Sequence, residues 1–450
     1  MSYLYHLPFS ATSINVNALS LYLRAYVSTA AFADTRRPSY KAGSQLFNLK
    51  FMSQAIVEDA SEPVEPSQSL TVPTSESARQ RRKIAALEEK LQLLEEGHAV
   101  KQRETNYYMS KGRAIRRVVT LFDNLEDLIC ENDRRCGLEG EDEDRTVDQD
   151  RLQVGYITLN QALPWLHSKA SDMEYEDYSY MLKKLRQGAD SARGDDTSKL
   201  KTLVADWINR DLKPAFPVDP EDKHCRGFVS DVCGRLLCPT ELDWNSPVVK
   251  AGIRDRIDGY VVTEMSWPAF LYEKYTADQE NLEEGLFKST LLLQAFKAIF
   301  TSPSSARDVA GDGDAANIIE ANRRAKKDVY SSKKVKTHVA QIIKMHNVTP
   351  RSIAYVSCQL RFALSSVTSW RSVDGDFDYI LFWKNIVDFF ERAPGRASQQ
   401  KVKRLLAWWS RKVFGTSQRA ELTEGAKARM SVNALAKQRA QQDDAFFDSE

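Results

Sequence analysis

The chain has 450 residues, 42% hydrophobic and 28% charged, so it can bury a sizeable core and keep a soluble surface. The formal net charge of +1 argues against a protein built throughout to coat nucleic acid or an anionic membrane, and such a role would need local clusters of charge. Six irregularly spaced cysteines indicate free thiols in a reducing compartment, nuclear or cytoplasmic, and no apolar run approaches the ~20 residues that span a bilayer.

The N-terminal residues allow two interpretations. Residues 1–33 contain no acid and, among Lys and Arg, only Arg24, a composition that resembles a mitochondrial transit peptide. However, Met52 opens an acidic tract rich in Pro and Ser, which is too poor in apolar residues to fold. We therefore favour a disordered arm over residues 1–76, in which residues 1–51 are an upstream extension, and we disfavour a mitochondrial location.

A short helix with coiled-coil character is predicted over residues 77–104. Its apolar residues recur at steps of three and four, which places them on one seam: Ile84, Leu87, Leu91 and Leu94. Two heptads are short for a stable coiled coil, and Gly97 interrupts the pattern. The spacing leaves two interpretations open, weak self-association through residues 84–94 and a helix that packs within its own chain.

The body of the chain, residues 105–415, is predicted to be one all-α globular domain of many helices. One helix is expected over residues 115–129, followed by an acidic, solvated loop over 131–150. Further helices are predicted near residues 159–168, 174–186, 196–210, 229–237, 247–258, 286–300, 350–365, 377–392 and 399–413, the last ending at Gly415. The other predicted parts are a short strand over residues 260–263, a loop over 307–317 and a polar tail over 416–450.

Aromatic side chains crowd the region from Trp370 to Phe414. A ligand groove and a packed core would both use them, but here they recur at the helical steps that normally serve packing. Two apolar stripes are predicted, with Phe382, Ile386, Phe389 and Phe390 on one helix and Leu405, Leu406, Trp409 and Val413 on the next. We expect the stripes to close on each other across the turn at residues 393–399, with Trp408 or Trp409 at the rim.

Several sequence blocks occur in order along the chain: Arg226-Gly227-Phe228, Leu236-Leu237-Cys238-Pro239, Trp267–Tyr272, Phe296–Ala306, Arg361–Ser366 with Trp370, Phe377-Asp378-Tyr379, and Leu406–Gly415. Together they resemble an uncharacterised domain family abundant in mushroom-forming fungi. The resemblance covers residues 105–415 and implies weakly structured ends. It implies no activity, cofactor or catalytic residue.

One cluster of metal-ligating residue types stands out, formed by His224, Cys225, Cys233 and Cys238. Structural zinc sites usually pair thiolates with two to four residues between them, and only Cys233 and Cys238, with four, meet that spacing here. We therefore interpret these thiols as buried or idle and expect no bound metal.

Two loops have patterns that partly match ligand-binding motifs. Asp374, Asp376 and Asp378 alternate like the start of a calcium loop, yet Tyr379 stands where that loop needs glycine. We expect Asp374 or Asp376 to cap the following helix. The glycines of residues 311–316 lack the preceding strand that a dinucleotide site requires, so we predict a plain loop and no cofactor.

The strongest local charge feature is the segment 322–344, in which Asp328 is the only acid. Its basic residues, predicted as a nucleic-acid contact, are Arg323, Arg324, Lys326, Lys327, Lys333, Lys334 and Lys336. A nuclear import signal and a solvated linker helix that balances the acidic loop would show the same pattern.

No stretch carries a signature that names a reaction. The sequence therefore favours a non-enzymatic interaction or scaffold protein with an unknown protein partner, no membrane contact, and nucleic acid bound through the basic segment. The alternative is an enzyme, hydrolytic in type, whose site is assembled from residues distant in sequence. A cavity that holds two or more perturbed ionisable groups would favour the enzyme, whereas a closed core with a basic surface would favour the binder.

Overall fold

The computed structural model describes residues 75–137, 145–307, 309–314, 338–415 and 423–447. The chain divides into two units, Met1–His98 and Ala99–Glu450. The first unit is described from Ser75 onwards, where it is a single helix. Helices also dominate the described part of the second unit, which confirms the all-α prediction.

The α-helices are α1 (Ser75–Gly112), α2 (Ile115–Val118), α3 (Leu125–Cys136), α4 (Val147–Ala162), α5 (Leu166–Ser171), α6 (Tyr175–Asp211), α7 (Asp231–Leu237), α8 (Pro247–Arg254), α9 (Thr290–Phe300), α10 (Val339–Ile342), α11 (Pro350–Leu364), α12 (Tyr379–Glu391), α13 (Gly395–Phe414), α14 (Glu424–Ala428) and α15 (Ser431–Phe447). Short 3-10 helices cover Gly227–Val229, Ala269–Leu271 and Glu273–Tyr275. Two strands, β1 (Val373–Asp374) and β2 (Phe377–Asp378), form an antiparallel hairpin with Val373 opposite Asp378.

Helix α11 is the centre of the second unit. Every residue from Arg351 to Leu364 is buried, and the helix packs against α2, α6, α9 and α12. Burial on all sides is typical of a core helix and explains why apolar residues occur around its whole circumference. A capping box between Thr349 and Ser352 sets the start of the helix at Pro350, as the sequence predicts.

The buried arginine at the start of α11, Arg351, forms hydrogen bonds and an ion pair with several other elements. Arg351 binds both carboxylate oxygens of Glu391 at 2.9 and 3.0 Å and donates to the carbonyls of Val119 and Arg151. Its guanidinium also lies over the ring of Trp383, 5.6 Å from the centroid. One side chain thus connects α2, α4, α11 and α12, and its charge is neutralised where it is buried.

The single helix predicted over residues 115–129 is wrong, because the chain breaks between α2 and α3. Thr120 donates its hydroxyl to the carboxylate of Asp123 at 2.6 Å and accepts the backbone N–H of Asp123 at 3.1 Å. This exchange offers the backbone an alternative to helical hydrogen bonds. The apolar residues on either side are nevertheless buried, since both short helices turn the same face inward.

The acidic loop predicted over residues 131–150 is helical at both ends. Helix α3 continues to Cys136 and α4 begins at Val147, while residues 138–144 lie outside the described part. Glu131 is buried and bound to Arg134 at 2.8 Å and to Arg135 at 2.7 Å. Glu131, Asp148 and Asp150 at these helix ends are therefore paired with basic side chains, in contrast to the solvated loop that the composition predicts.

Two predicted helices, 174–186 and 196–210, are one continuous helix, α6. Its middle carries small residues because α1 crosses there at very close range. A Cβ atom added to Gly188 would lie 2.7 Å from the carbonyl carbon of Met109 and 2.8 Å from its Cα. One added to Gly112 would meet the backbone of Leu185 at the same two distances. The glycines let the two backbones touch.

The strand predicted over residues 260–263 is also wrong, as no regular structure forms there. Tyr260 lies against α8, where a Cβ on Gly252 would be 2.5 Å from the tyrosine ring. Tyr260 and Val262 pack onto a small separate cluster of Cys238, Trp244 and Ile253. These residues are therefore held by side-chain packing and not by pairing with a strand.

The apolar stripes of α12 and α13 are buried except for Phe389, Leu405 and Leu406, which are half-buried, and the stripes meet at Phe287 and not on each other. The rings of Phe389 and Phe390 lie 5.2 and 5.1 Å from that of Phe287, measured between centroids. Trp409 donates its indole N–H to the Phe287 carbonyl at 3.0 Å. Trp409 is buried and Trp408 is half-buried, which agrees with the expectation that one of the pair lies at the rim. Gly415, with a φ of +78°, ends α13 as predicted.

Candidate functional site

Helix α13 carries a strongly one-sided charge. Its 20 residues contain no Asp or Glu. Its basic residues are Arg396, Lys401, Lys403, Arg404, Arg411 and Lys412. Positions 401, 404, 408 and 411 follow steps of three and four and therefore share one face of the helix. That face presents Lys401, Arg404, Trp408 and Arg411.

This face of α13 forms one wall of a groove of about 470 Å³, which we call the basic groove. The opposite wall is the segment 281–288. The groove is lined by Lys401, Arg404, Leu405, Trp408 and Arg411 from the helix and by Asn281, Glu283, Glu284, Leu286 and Lys288 from the segment. Its four cations outnumber its two carboxylates, so the groove carries a positive excess.

The pairing within the groove leaves two cations free. Lys401 binds Glu283 at 2.5 Å, and Arg411 lies 3.9 Å from Asp312. Arg404 and Lys288 make no ion pair or side-chain hydrogen bond with any residue that the structure describes. Because exposed ion pairs are weak, an incoming polyanion can also exchange places with Glu283 at low cost.

Trp408 is held in a fixed position on the wall of the groove. It packs edge-on against Trp409, with ring centroids 5.7 Å apart and planes at 89°. Trp409 in turn lies in the core against Phe296, 5.2 Å between centroids. A half-buried indole that is anchored in this way, with cations on both sides, is the arrangement that proteins use to stack an unpaired base.

An apolar cleft of about 290 Å³ continues the basic groove toward the start of α13. Trp267, Phe389 and Val402 line it, and Glu283 and Leu286 are shared with the basic groove. The α13 residues of the cleft are Ser398 and Val402, and the α13 stripe from Leu405 to Val413 lies outside its lining. The cleft and the basic groove thus follow α13 from Ser398 to Arg411.

A third cavity, of about 430 Å³, opens at the C-terminal end of α11, and we call it the arginine cavity. Its charged lining residues are Arg254, Arg256, Arg361, Asp374 and Asp376. Asp374 and Asp376 do not cap α12, contrary to our expectation. Asp376 pairs with Arg256, and Asp374 lies 3.8 Å from Arg361. The cap is Asp378, which accepts the backbone N–H groups of Ile380 and Leu381.

Two groups with strongly perturbed pKa values, Tyr355 and Cys358, lie inside the core and line none of these three cavities. Burial raises the pKa of Tyr355, whose hydroxyl donates to Asp196 at 2.8 Å, and it also raises the pKa of the Cys358 thiol. Asp196 in turn receives two hydrogen bonds of 2.8 Å from the buried Arg117. These contacts hold α2, α6 and α11 together, and within the described ranges Arg117, Asp196 and Tyr355 are all buried.

The seven basic residues predicted as a nucleic-acid site, Arg323, Arg324, Lys326, Lys327, Lys333, Lys334 and Lys336, all lie outside the described residues. Sequence reasoning did not single out the basic groove. The signal was present, since α13 lacks acids and places its bases at helical steps around a tryptophan. The sequence favours a packed core over a ligand groove for these aromatic residues, because Trp409 and Val413 share a stripe of the same helix.

The thiol cluster does not assemble into a metal site. Cys233 and Cys238 are buried, whereas Cys225 is exposed and donates to Asp222 at 3.4 Å. Across the described ranges, no group of three His, Cys, Asp or Glu side chains is placed to hold a metal ion. In the loop at residues 311–314, the N–H of Gly313 binds the carbonyl of Arg411 at 3.0 Å, so this loop packs against α13.

The fold and the groove define an all-α protein with a basic, tryptophan-bearing surface. The chain belongs to a family of unknown function, DUF6698, which matches residues 187–414 and so contains α13, the basic groove and the arginine cavity. The expected membership of a family without assigned function is thereby confirmed. No curated protein and no solved structure matches the chain. Among the helices that the structure describes, none has both the length and the apolar character needed to cross a membrane.

Proposed function

We propose that this protein is a non-enzymatic interaction protein of the nucleus or cytoplasm that binds single-stranded nucleic acid through the basic groove. The observation that carries the proposal is the shared face of α13, on which Lys401, Arg404 and Arg411 flank the anchored Trp408. Cations at this spacing contact phosphates, and the indole offers a stacking surface that every base can use. The basic segment 322–344 lies in the same chain and adds further phosphate contacts.

The hydrolase alternative has less support from the geometry. General acid and base catalysis needs ionisable groups with shifted pKa values that converge on an accessible cavity. In the described part of the chain, Tyr355 and Cys358 are enclosed by packing, and Arg117 and Asp196 neutralise each other. A binding role requires only the charge and the aromatic surface that the groove presents.

The test uses the full chain and a fluorescent oligo-dT probe, with binding followed by anisotropy across a salt series. We expect affinity to fall with salt, with a slope of about 0.7 per phosphate contact on a log–log plot. Charge reversal by Arg404→Glu with Lys288→Glu should abolish most of the binding and flatten this slope. A matched control, Lys183→Glu with Lys437→Glu, reverses two exposed charges elsewhere and should leave binding close to normal.

A second variant separates stacking from charge. Trp408→Leu should weaken binding by about 1–3 kcal/mol, the contribution of one stacked base, and leave the salt slope unchanged. If no complex forms at low salt, or if the control pair weakens binding as much as the groove pair, the basic groove is not the nucleic-acid site. A different result would assign nucleic-acid binding to the basic segment instead: the groove variants have no effect, and binding is lost when Lys333, Lys334 and Lys336 are replaced by Glu.

We further propose that the chain self-associates weakly through residues 84–94. Three of the four seam residues are described in atomic detail, and Ile84, Leu87 and Leu91 are 55%, 59% and 58% exposed. An apolar seam at this spacing is the surface that pairs in a two-stranded coiled coil. Self-association would also let one assembly present two basic grooves, which increases the avidity for a long nucleic acid.

Sedimentation of the full chain over a range of concentrations tests this contact. Leu87→Glu should shift the equilibrium to the monomer, because it places a charge on the seam. Ala86→Glu adds the same charge one residue away, at a position that points off the seam, and should preserve self-association. A wild-type chain that stays monomeric at all concentrations would refute the contact.

A further inference from the structure

The C-terminal end of α11 is surrounded by buried cations. Lys223 donates its ammonium to the carbonyls of Phe362 and Val367, both at 2.5 Å. Arg226 is fully buried and donates to the carbonyl of Ala363 at 2.8 Å. The last carbonyls of a helix lack intrahelical partners and carry the negative end of its dipole, which explains why two cations are tolerated here.

A third cation, Arg361, faces the arginine cavity and is incompletely paired. Its side chain is 6% exposed, and its guanidinium stacks on Phe377 at 3.1 Å from the ring centroid. Arg361 donates one hydrogen bond, to the hydroxyl of Tyr379 at 2.9 Å, and the carboxylate of Asp374 stays 3.8 Å away. A guanidinium has five N–H donors, so Arg361 has donors left for an additional anion.

The electrostatics around the cavity are positive. Two more arginines line it, Arg254 and Arg256, against the carboxylates of Asp374 and Asp376. Arg256 pairs with Asp376. Arg254 donates its Nε–H to the Phe228 carbonyl at 2.8 Å, and its guanidinium lies 5.7 Å from the centroid of the Trp244 ring. It has no carboxylate partner among the residues that the structure describes. Lys223 lies outside this lining, and burial and the neighbouring charge of Arg226 lower its pKa to about 7.

The rest of the cavity wall is apolar or carries hydroxyl groups. Phe228, Leu237, Ile253, Val261 and Val262 form the apolar part, and Ser365 and Ser366 lie next to the arginines. A volume of about 430 Å³ is typical of sites that enclose a small organic molecule. The sequence blocks Arg226-Gly227-Phe228 and Arg361–Ser366 meet at this cavity, because a Cβ on Gly227 would lie 3.2 Å from the backbone nitrogen of Ser366.

We propose that the arginine cavity binds a small amphipathic anion, in which a carboxylate or phosphate is held by Arg361 and Arg254 and an aromatic or aliphatic body packs against the apolar wall. The negative group completes the pairing of Arg361, and the apolar wall excludes water around that contact. This site is separate from the basic groove and does not depend on nucleic-acid binding.

Phenyl phosphate is the first probe, and calorimetry with the full chain measures its binding. Phenol lacks the charge and inorganic phosphate lacks the apolar body, so each should bind at least about tenfold more weakly, as expected when one charge-assisted contact or one buried ring is lost. Benzoate, measured in parallel, decides whether the site prefers a carboxylate or a phosphate.

Variants locate the binding. Arg254→Met keeps the apolar length of an exposed side chain and should weaken phenyl phosphate binding several-fold, and Arg361→Met should abolish it. Circular dichroism shows whether the Arg361 variant is folded, and Arg254→Met alone decides the outcome if it is not. Arg404→Met, in the basic groove, should leave the affinity unchanged. No binding of phenyl phosphate or benzoate, binding that survives Arg254→Met unaltered, or a loss caused by Arg404→Met would overturn the proposal.

Discussion

Replacing Gly188 by alanine tests the close contact between α1 and α6. The added Cβ would lie 2.7 and 2.8 Å from two backbone atoms of Met109, where ordinary carbon–carbon contacts are about 3.5–4.0 Å. Helices α1 and α6 must therefore move apart by about 1 Å, which loosens the packing on both sides of the crossing. Overpacking of this kind costs about 1–3 kcal/mol. The cost outweighs the gain of about 1 kcal/mol that alanine brings to an unrestrained helix position.

Gly194, in the same helix, is the matched control. It is exposed, and a Cβ there would meet nothing within 4 Å. Gly194→Ala should therefore stabilise the protein by about 0.5–1 kcal/mol, through helix propensity alone. Urea denaturation followed by far-UV circular dichroism measures both variants. If Gly188→Ala is as stable as Gly194→Ala, α1 and α6 do not touch at this point in solution, and the explanation given for the small residues of α6 is wrong.

Two further predictions concern buried charges. Asp196→Asn leaves Arg117 buried without its counter-ion and should lower the unfolding free energy by about 3–5 kcal/mol in a urea titration. Asp195→Asn removes an exposed ion pair with Arg113 and should lower it by less than about 1 kcal/mol in the same titration. Lys223 has a pKa lowered from 10.5 to about 7 by burial, so above pH 7 the unfolded chain binds more protons than the folded one. The stability it contributes should rise with pH between about 7 and 10, and the pH dependence of the urea midpoint should lose this rise in Lys223→Met.

The helices were predictable because the spacing of apolar residues that indicates a helix involves only residues close together in the sequence. Apolar residues at steps of three and four identify α11, α12 and α13, and Pro350 and Gly415 mark a start and an end that the backbone follows. The same logic failed where a local polar exchange competes with the helix, as between Thr120 and Asp123. It also failed at residues 260–263, where a strand had no partner to pair with.

The binding surfaces could not be predicted, because each is formed by segments that are distant in the chain. The basic groove brings Lys288 opposite Arg404, and the arginine cavity brings Arg254 to Arg361 and Asp374. Whether an arginine is paired with a carboxylate depends on the distance between their charged groups, since electrostatic interactions act through space and weaken with separation.

The sequence by itself determined that the chain is helical and which faces of its helices are apolar. Only the tertiary structure decided that Phe287, and not the opposite stripe, receives the aromatic residues of α12 and α13, and that Trp408 remains at the surface while Trp409 is buried. Periodicity specifies the side of a helix that avoids water, but the partner of that side is selected by packing among all the elements at once.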